Sequence, residues 1–294
     1  MAVLLALLSA CATSVNLVLQ RDSSSAAPPE AGGWRLLPYL VRDRRWLLGQ
    51  AVWVVAFGLQ ALALHLGQLS VVQPVLISQL VFTLLVRRFA SRWPVRGAAW
   101  GSAALVCVSL AFFLVAAEPR GGHPGATPSA WLWSLLTGGV VAAAAAGLAL
   151  RGSPARRAAG FAVAAAVLAA VEATLVKQAM DVLSTRGVIA VLSGWPLYVL
   201  VLVGSASGLL VQAALHVGPL TVSQPLLVVV NPLVSIVLSV WLFGEHFTRS
   251  PGALLLGACS FLGLVAGTVL LTATGPRASA VEATAERAPA AGQA

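Results

Sequence analysis

Charge is what this sequence has least of. Only 9% of its 294 residues are Asp, Glu, Lys or Arg, against about 25% in an ordinary soluble domain. A chain of this size folding in water would need far more polar surface to cover its core. That scarcity excludes a soluble enzyme and a disordered protein. Cysteine is scarce as well: the three present, Cys11, Cys107 and Cys259, each fall inside an apolar run. None has a partner at metal-ligand spacing. They read as small packing residues, and a disulfide scaffold is excluded. Catalytic signatures are missing too, with no phosphate-binding P-loop, no HExxH and no Ser/His/Asp constellation. The chain is therefore expected to be neither an ATP-driven pump nor an enzyme, and no cofactor is expected.

What the chain does have is apolar sequence in long runs. Hydrophobic residues make up 59% of it, and its mean hydropathy is +0.91. The net charge of +9 raises nucleic acid as a partner, but the basic residues sit in short gaps between apolar runs and form no polar face. A spanning helix needs about 20 apolar residues. Nine segments qualify: Ala2–Leu19, Trp46–Leu66, Leu69–Val86, Ala98–Ala117, Trp131–Leu150, Ala158–Val176, Trp195–Val217, Leu220–Phe243 and Gly252–Thr272. The expected fold is an all-α polytopic membrane protein whose main partner is the lipid bilayer. Gln20–Arg45 has loop composition, with Ser-Ser-Ser, Pro-Pro and Gly-Gly. The stretch 276–294 reads as a disordered cytoplasmic tail. Leu8-Ser9-Ala10-Cys11 fits a lipoprotein cleavage box. No basic residue precedes the apolar run, however, so a retained first helix is expected.

Orientation follows from Lys and Arg, which are enriched on the cytoplasmic side. With nine spans the connections alternate, and fourteen of the 18 basic residues fall on one side. They are Arg21, Arg35, Arg42, Arg44, Arg45, Arg87, Arg88, Arg92, Arg96, Arg151, Arg156, Arg157, Arg277 and Arg287. The other side receives Arg120, Lys177, Arg186 and Arg249. The expected topology has the N-terminus outside and the C-terminus in the cytoplasm. With Arg outnumbering Lys 17 to 1, the composition suggests a GC-rich bacterial genome, which makes the inner membrane the expected location.

An internal repeat is the most informative signal. Ala63-Leu-His-Leu-Gly-Gln-Leu-Ser-Val-Val-Gln-Pro-Val-Leu76 returns 151 residues later as Ala214-Leu-His-Val-Gly-Pro-Leu-Thr-Val-Ser-Gln-Pro-Leu-Leu227, with nine of fourteen positions identical. The second span then matches the seventh, the third the eighth and the fourth the ninth. Equivalent spans lie five crossings apart, an odd number, so the two halves enter the bilayer in opposite directions. Two inverted four-helix repeats joined by a connector helix are expected: residues 1–130, connector 131–157, and 158–275. Inverted repeats are a common secondary-transporter architecture, with the substrate site near the midplane between the halves.

The motif His216-Val-Gly-Pro-Leu-Thr-Val-Ser-Gln-Pro-Leu, followed by Leu242-Phe-Gly-Glu-His-Phe-Thr and a Gly-rich last span, resembles the second half of the drug/metabolite transporter superfamily, whose members carry two EamA-like repeats. The nine-span pattern is closest to its NIPA-type magnesium transporter branch. That resemblance implies a secondary transporter of a small solute or cation, and the branch implies magnesium or another divalent cation. The Gly-Glu signature occurs once, as Gly244-Glu245; the first half has Arg92-Trp93-Pro94 in that region. Other classes remain open: a non-transporting membrane scaffold or accessory subunit, and a lipid flippase.

Candidate pathway residues are the polar ones inside spans, because charge in hydrocarbon costs about 2.5–3.5 kcal/mol even on the lenient scale. Glu172 is the acidic residue deepest in a span. Either it faces a cavity as a proton carrier or cation ligand, or it neutralises Lys177 or sits protonated in a helix contact. Asn231-Pro232 falls near the centre of the eighth span, where Pro frees a carbonyl; it either lines a cavity or is a packing kink. Gln73-Pro74 and Gln224-Pro225 recur in the repeat. The prolines read as helix initiation, and the Gln pair as gate elements. Gln79 and Asn16, like Gln50, Gln60 and Gln212, are neutral groups that either coordinate a substrate or bridge helices. His65 and His216 read either as a pH-sensitive gate or as caps on the last carbonyls of their helices. Pro74, Pro225 and Pro232 complete the gate candidates. Metal ligands are not assigned. Glu118 and Glu245, at span ends, are expected to be solvated or to cap loops. Gly97–Gly101, Gly204–Gly208 and Gly263–Gly267 have the spacing of close helix contacts. They read as internal packing, with the oligomeric state, a homodimer included, left open.

Overall fold

The computed structural model describes residues 1–25, 42–90, 97–117, 126–150, 152–217, 220–245 and 250–274. These form ten helices: α1 (Ala2–Ser25), α2 (Arg44–Leu66), α3 (Leu69–Leu76), α4 (Gln79–Ala90), α5 (Gly97–Ala117), α6 (Pro128–Ala149), α7 (Pro154–Ser193), α8 (Trp195–Val217), α9 (Leu220–Phe243) and α10 (Pro251–Thr274). There is no strand among the described residues. Counting α3 and α4 together, nine apolar stretches among them are long enough to cross a membrane.

Three helices begin with the same local chemistry. Thr127-Pro128, Ser153-Pro154 and Ser250-Pro251 place a hydroxyl before a proline. Thr127 accepts from the Ala130 amide at 3.3 Å and Ser250 from the Ala253 amide at 3.3 Å. Each hydroxyl satisfies an otherwise unpaired amide, and the proline sits where its missing N–H costs nothing. Asp43 starts α2 in the same way, accepting from the Arg45 amide at 3.0 Å.

Large apolar side chains cover the outside. Val54, Val55, Trp133, Val140, Leu209, Trp241 and Leu262 are all exposed. Three buried hydroxyls close on carbonyls across helices: Ser9 on Ala56 at 2.8 Å, Ser14 on Gln79 at 2.7 Å and Ser207 on Ala165 at 3.1 Å. This inside-out arrangement suits a hydrocarbon solvent, in which every polar group must find its partner within the protein. Cys107 and Cys259 face outward and Cys11 is half-buried, all three as free thiols. The packing role expected of the first two is therefore not what they do.

In the first half α1 packs on α2, α3 and α4. In the second, α7 packs on α8 and α9. The fifth helix lies against the tenth, and α3 meets α9 across the middle. Close approach of α5 and α10 depends on Gly267, where a Cβ would come within 2.9 Å of Val106 Cγ2 and 3.1 Å of its backbone nitrogen. Gly263 on the same face abuts Ser109. These glycines thus serve packing within the chain. A Cβ at Gly97 or Gly101 would meet nothing within 4 Å, so the first glycine pair has no such role.

Two elements depart from the expected spans. The third is broken: α3 ends at Leu76, a turn occupies Ile77–Ser78, and α4 begins at Gln79. Pro74 and Pro225 lie inside their helices and not in the first turn, so helix initiation is not their role. Pro74 cannot donate to the carbonyl of Ser70, and the helix stops two residues after it. The sixth span, expected to end at Val176, continues as helix to Arg186 and, beyond a non-helical Gly187, as a second helical segment to Ser193. Its 40 residues would be about 60 Å long if straight, twice the hydrocarbon thickness. It is not straight: Gly187, at φ 80° and ψ 180°, turns the chain. That conformation is essentially restricted to glycine. Gln20–Ser25, read as loop from its composition, continues α1 as helix; the rest of that stretch from 26 to 41, Glu118 and the tail 276–294 lie outside the described residues.

A candidate solute cavity and a buried clasp

A cavity of about 370 Å³ lies between the helices. Its wall takes Thr13 from α1, Gln60 from α2, Gln73 from α3, Gln79 from α4, Glu172 from α7 and Asn231 with Pro232 from α9, with Trp53 and Phe57 beside them. Four of the six pathway candidates thus meet in one place: Glu172, Asn231, Gln73 and Gln79. Gln60, grouped above with the bridging amides, joins them. Asn16 is buried on α1 but is not in the wall. The side chains of Gln224 and His216 lie outside the described residues. Of the gate candidates, Pro232 lines the cavity and Pro74 is buried in α3 next to Gln73. Pro225 is half-buried in α9.

Glu172 enters this wall without a counter-charge. No hydrogen bond or ion pair to it occurs among the described residues. Its carboxylate lies against α8 at Gly204, where a Cβ would come within 3.2 Å of Oε1 and 3.3 Å of Cδ. Gly204 thus makes room for a carboxylate, a role its Gly-xxx-Gly spacing did not reveal. The reading in which Glu172 neutralises Lys177 is overturned, because Lys177 is engaged elsewhere. Asn231 accepts from the Ser235 hydroxyl at 3.2 Å, a bond within its own helix. It therefore does not act as the interhelical bridge of the packing alternative.

Lys177 belongs to a second polar cluster at the α2–α3 corner. Its Nζ donates to Leu64 O at 3.1 Å and Gly67 O at 2.6 Å, and it stands 5.2 Å over the Phe243 ring. These carbonyls are at the C-terminal, negative end of α2, which suits a cation. Glu245 does the converse at the N-terminus of α3. It accepts from the Leu69 amide at 2.9 Å, the Ser70 amide at 3.1 Å and the Ser70 hydroxyl at 2.6 Å. Lys177 Nζ and Glu245 Oε1 are 3.9 Å apart. Glu245 is 1% exposed, so it is not solvated, and what it caps is the start of a helix rather than a loop. The helix it caps is 175 residues away in sequence, which no local pattern could signal. At the edge of the cluster His65 Nδ1 meets Asp181 Oδ1 at 3.0 Å. His65 therefore does not cap its own helix; Lys177 takes those carbonyls.

The cavity contains no ready-made divalent metal centre among the described residues, where no group of three or more His, Cys, Asp or Glu side chains comes together. What it presents is one carboxylate, the amides of Gln60, Gln73, Gln79 and Asn231, and two aromatic rings stacked at 5.8 Å, Trp53 and Phe57. Such a wall can hold a small solute or a hydrated cation by hydrogen bonds and compensate one positive charge.

The chain is similar to an uncharacterized protein of Corynebacterium glutamicum, 27% identical over 276 residues, which is 93% of this chain and 95% of that protein. No family model matches the chain, and no solved structure matches it.

Proposed function

We propose that this chain is a secondary transporter of the drug/metabolite type that moves a small solute or cation across a bacterial inner membrane by alternating access. The carrying observation is the cavity itself: polar groups from α1, α2, α3, α4 and α9 line one space with a carboxylate from α7 that has no counter-charge among the described residues. Intramembrane carboxylates are costly and mark ion and substrate paths. Glu172 is the residue that binds the transported positive charge, whether a proton, a cation or an ammonium group on a solute. The neighbouring amides orient it.

The inverted-repeat reading is supported by the helix ends. The repeat offset of 151 carries Leu66 onto Val217 and Leu69 onto Leu220, the last and first residues of the corresponding helices. The alternating topology is supported by the clasp. With the N-terminus outside, the α2–α3 and α9–α10 connections fall on one side, and Gly67 and Glu245 from those two places meet Lys177 and Asp181 of α7 at one mouth.

Flux into proteoliposomes carrying both a magnesium-sensitive and a pH-sensitive dye tests the proposal. Wild type is expected to give a solute- or cation-dependent signal that Glu172→Gln abolishes while still reconstituting. A magnesium signal assigns the NIPA-type activity. A proton signal with an organic solute assigns metabolite transport. No flux and no solute-dependent stabilisation across a broad screen would leave a scaffold.

A further inference from the structure

The hydrogen bonds of the two chain halves follow a pattern. Ser9 to Ala56 and Ser14 to Gln79 stay within the first half, and Ser207 to Ala165 stays within the second. At the α2–α3 corner, bonds cross between the halves. Lys177 reaches Leu64 and Gly67, Glu245 reaches Leu69 and Ser70, and Asp181 reaches His65.

We propose that the Lys177–Glu245 clasp on the α2–α3 corner is the gate of one mouth of the cavity, closed in this structure and released when the halves separate. The inference rests on the transporter reading and adds the device that controls access to its site. Three observations support it. The clasp sits directly on the cavity: Gln73, one turn into α3 from Leu69, and Val176, the neighbour of Lys177, already line the wall. An apolar plug surrounds it, with Leu64, Leu69, Val72, Val75 and Phe243 all fully buried in one cluster. Finally, the contacts are separable without loss inside either half. Each charge is held chiefly by helix-end carbonyls or amides of the other half, so parting the halves frees both ends at once and exposes them to water. A seal of this composition has two discrete states, wet and dry, as a gate requires.

Access can be read without any substrate. Thr13→Cys, in the cavity wall, is placed in a background where Cys11, Cys107 and Cys259 are Ala. A charged, membrane-impermeant maleimide is then added to one face of sealed vesicles at a time. With the clasp intact, labelling from the clasp face should be slow. Glu245→Gln is expected to speed it about tenfold. Ser70→Ala, which removes one hydrogen bond and no charge, should speed it about threefold. The milder variant decides the matter if the first does not fold. Unchanged labelling in a variant that remains monodisperse and reconstitutes would overturn the gate, as would fast labelling from both faces in the wild type. Faster labelling in variants of a protein that carries no solute would keep the gate and remove the transporter reading, so the two proposals fail separately.

Discussion

A double-mutant cycle on Lys177 and Glu245 measures the clasp as a stability element. The side chains are 13% and 1% exposed and their charges 3.9 Å apart. At an effective dielectric of about 20, opposite unit charges at that separation attract by about 4 kcal/mol. Desolvation offsets part of this, and both groups also bind helix ends that would still hold them if the partner were gone. Lys177→Met alone leaves a buried carboxylate without its counter-charge; Glu245→Gln alone leaves a buried ammonium and weakens three hydrogen bonds. Each single change is expected to destabilise by about 3 kcal/mol, the usual cost of breaking a buried pair from one side. The double variant leaves no uncompensated charge and should cost about 4 kcal/mol, a coupling of about 2 kcal/mol. Reversible unfolding in mixed micelles, followed by circular dichroism, gives all four corners. The matching cycle of Lys177→Met with Glu172→Gln should show coupling below about 0.5 kcal/mol, because those residues do not pair. Additive effects in the first cycle, or strong coupling in the second, would refute the assignment.

Other expected outcomes are simpler. Gly204→Ala should hardly change stability. The helix gains about 0.8–1 kcal/mol of propensity, roughly offset by the crowding of a carboxylate 3.2 Å away. Yet it should lower apparent solute affinity about tenfold by moving Glu172, an effect of the size that misplacement by a fraction of an ångström gives; unchanged affinity would separate Gly204 from the site. Gly267→Leu should destabilise by about 2–3 kcal/mol, since the new side chain meets the Val106 backbone across the α5–α10 contact and overpacking costs that much. A wild-type melting temperature would refute the close approach. Gly187→Val should lower expression or stability by about 1–3 kcal/mol through backbone strain alone, since nothing lies within 4 Å of its side-chain position. Gly187→Asn, which tolerates positive φ better, should be milder, and equal effects would argue against strain.

The membrane class and the nine apolar stretches were legible in the chain because they are one-dimensional properties. Twenty apolar residues in a row can satisfy their backbone in lipid only as a helix, and apart from α7, which runs past Val176 to Ser193, the structure ends those helices within a few residues of where the hydropathy does. Glu172, Gln73, Gln79 and Asn231 were likewise legible as candidates, because a polar side chain in hydrocarbon is conspicuous wherever it points. What a linear reading could not supply was direction and partner. A helix buries one face and gives the other to lipid, and in a chain that is apolar all round no amphipathic stripe marks which face is which. Lys177 lies five residues from Glu172, near enough in sequence to read as its counter-charge. The fold instead gives it to Glu245, 68 positions away in sequence, because both belong at the α2–α3 corner. The break at Ile77–Ser78, the elbow at Gly187 and the seat of the Glu172 carboxylate on Gly204 were also decided in three dimensions. Sequence alone determined the solvent, the number of apolar stretches and the repeat. Tertiary structure decided which polar groups pair and which are left facing the cavity, because in a low-dielectric interior each charge is claimed by whatever helix end or opposite charge the packing brings within reach.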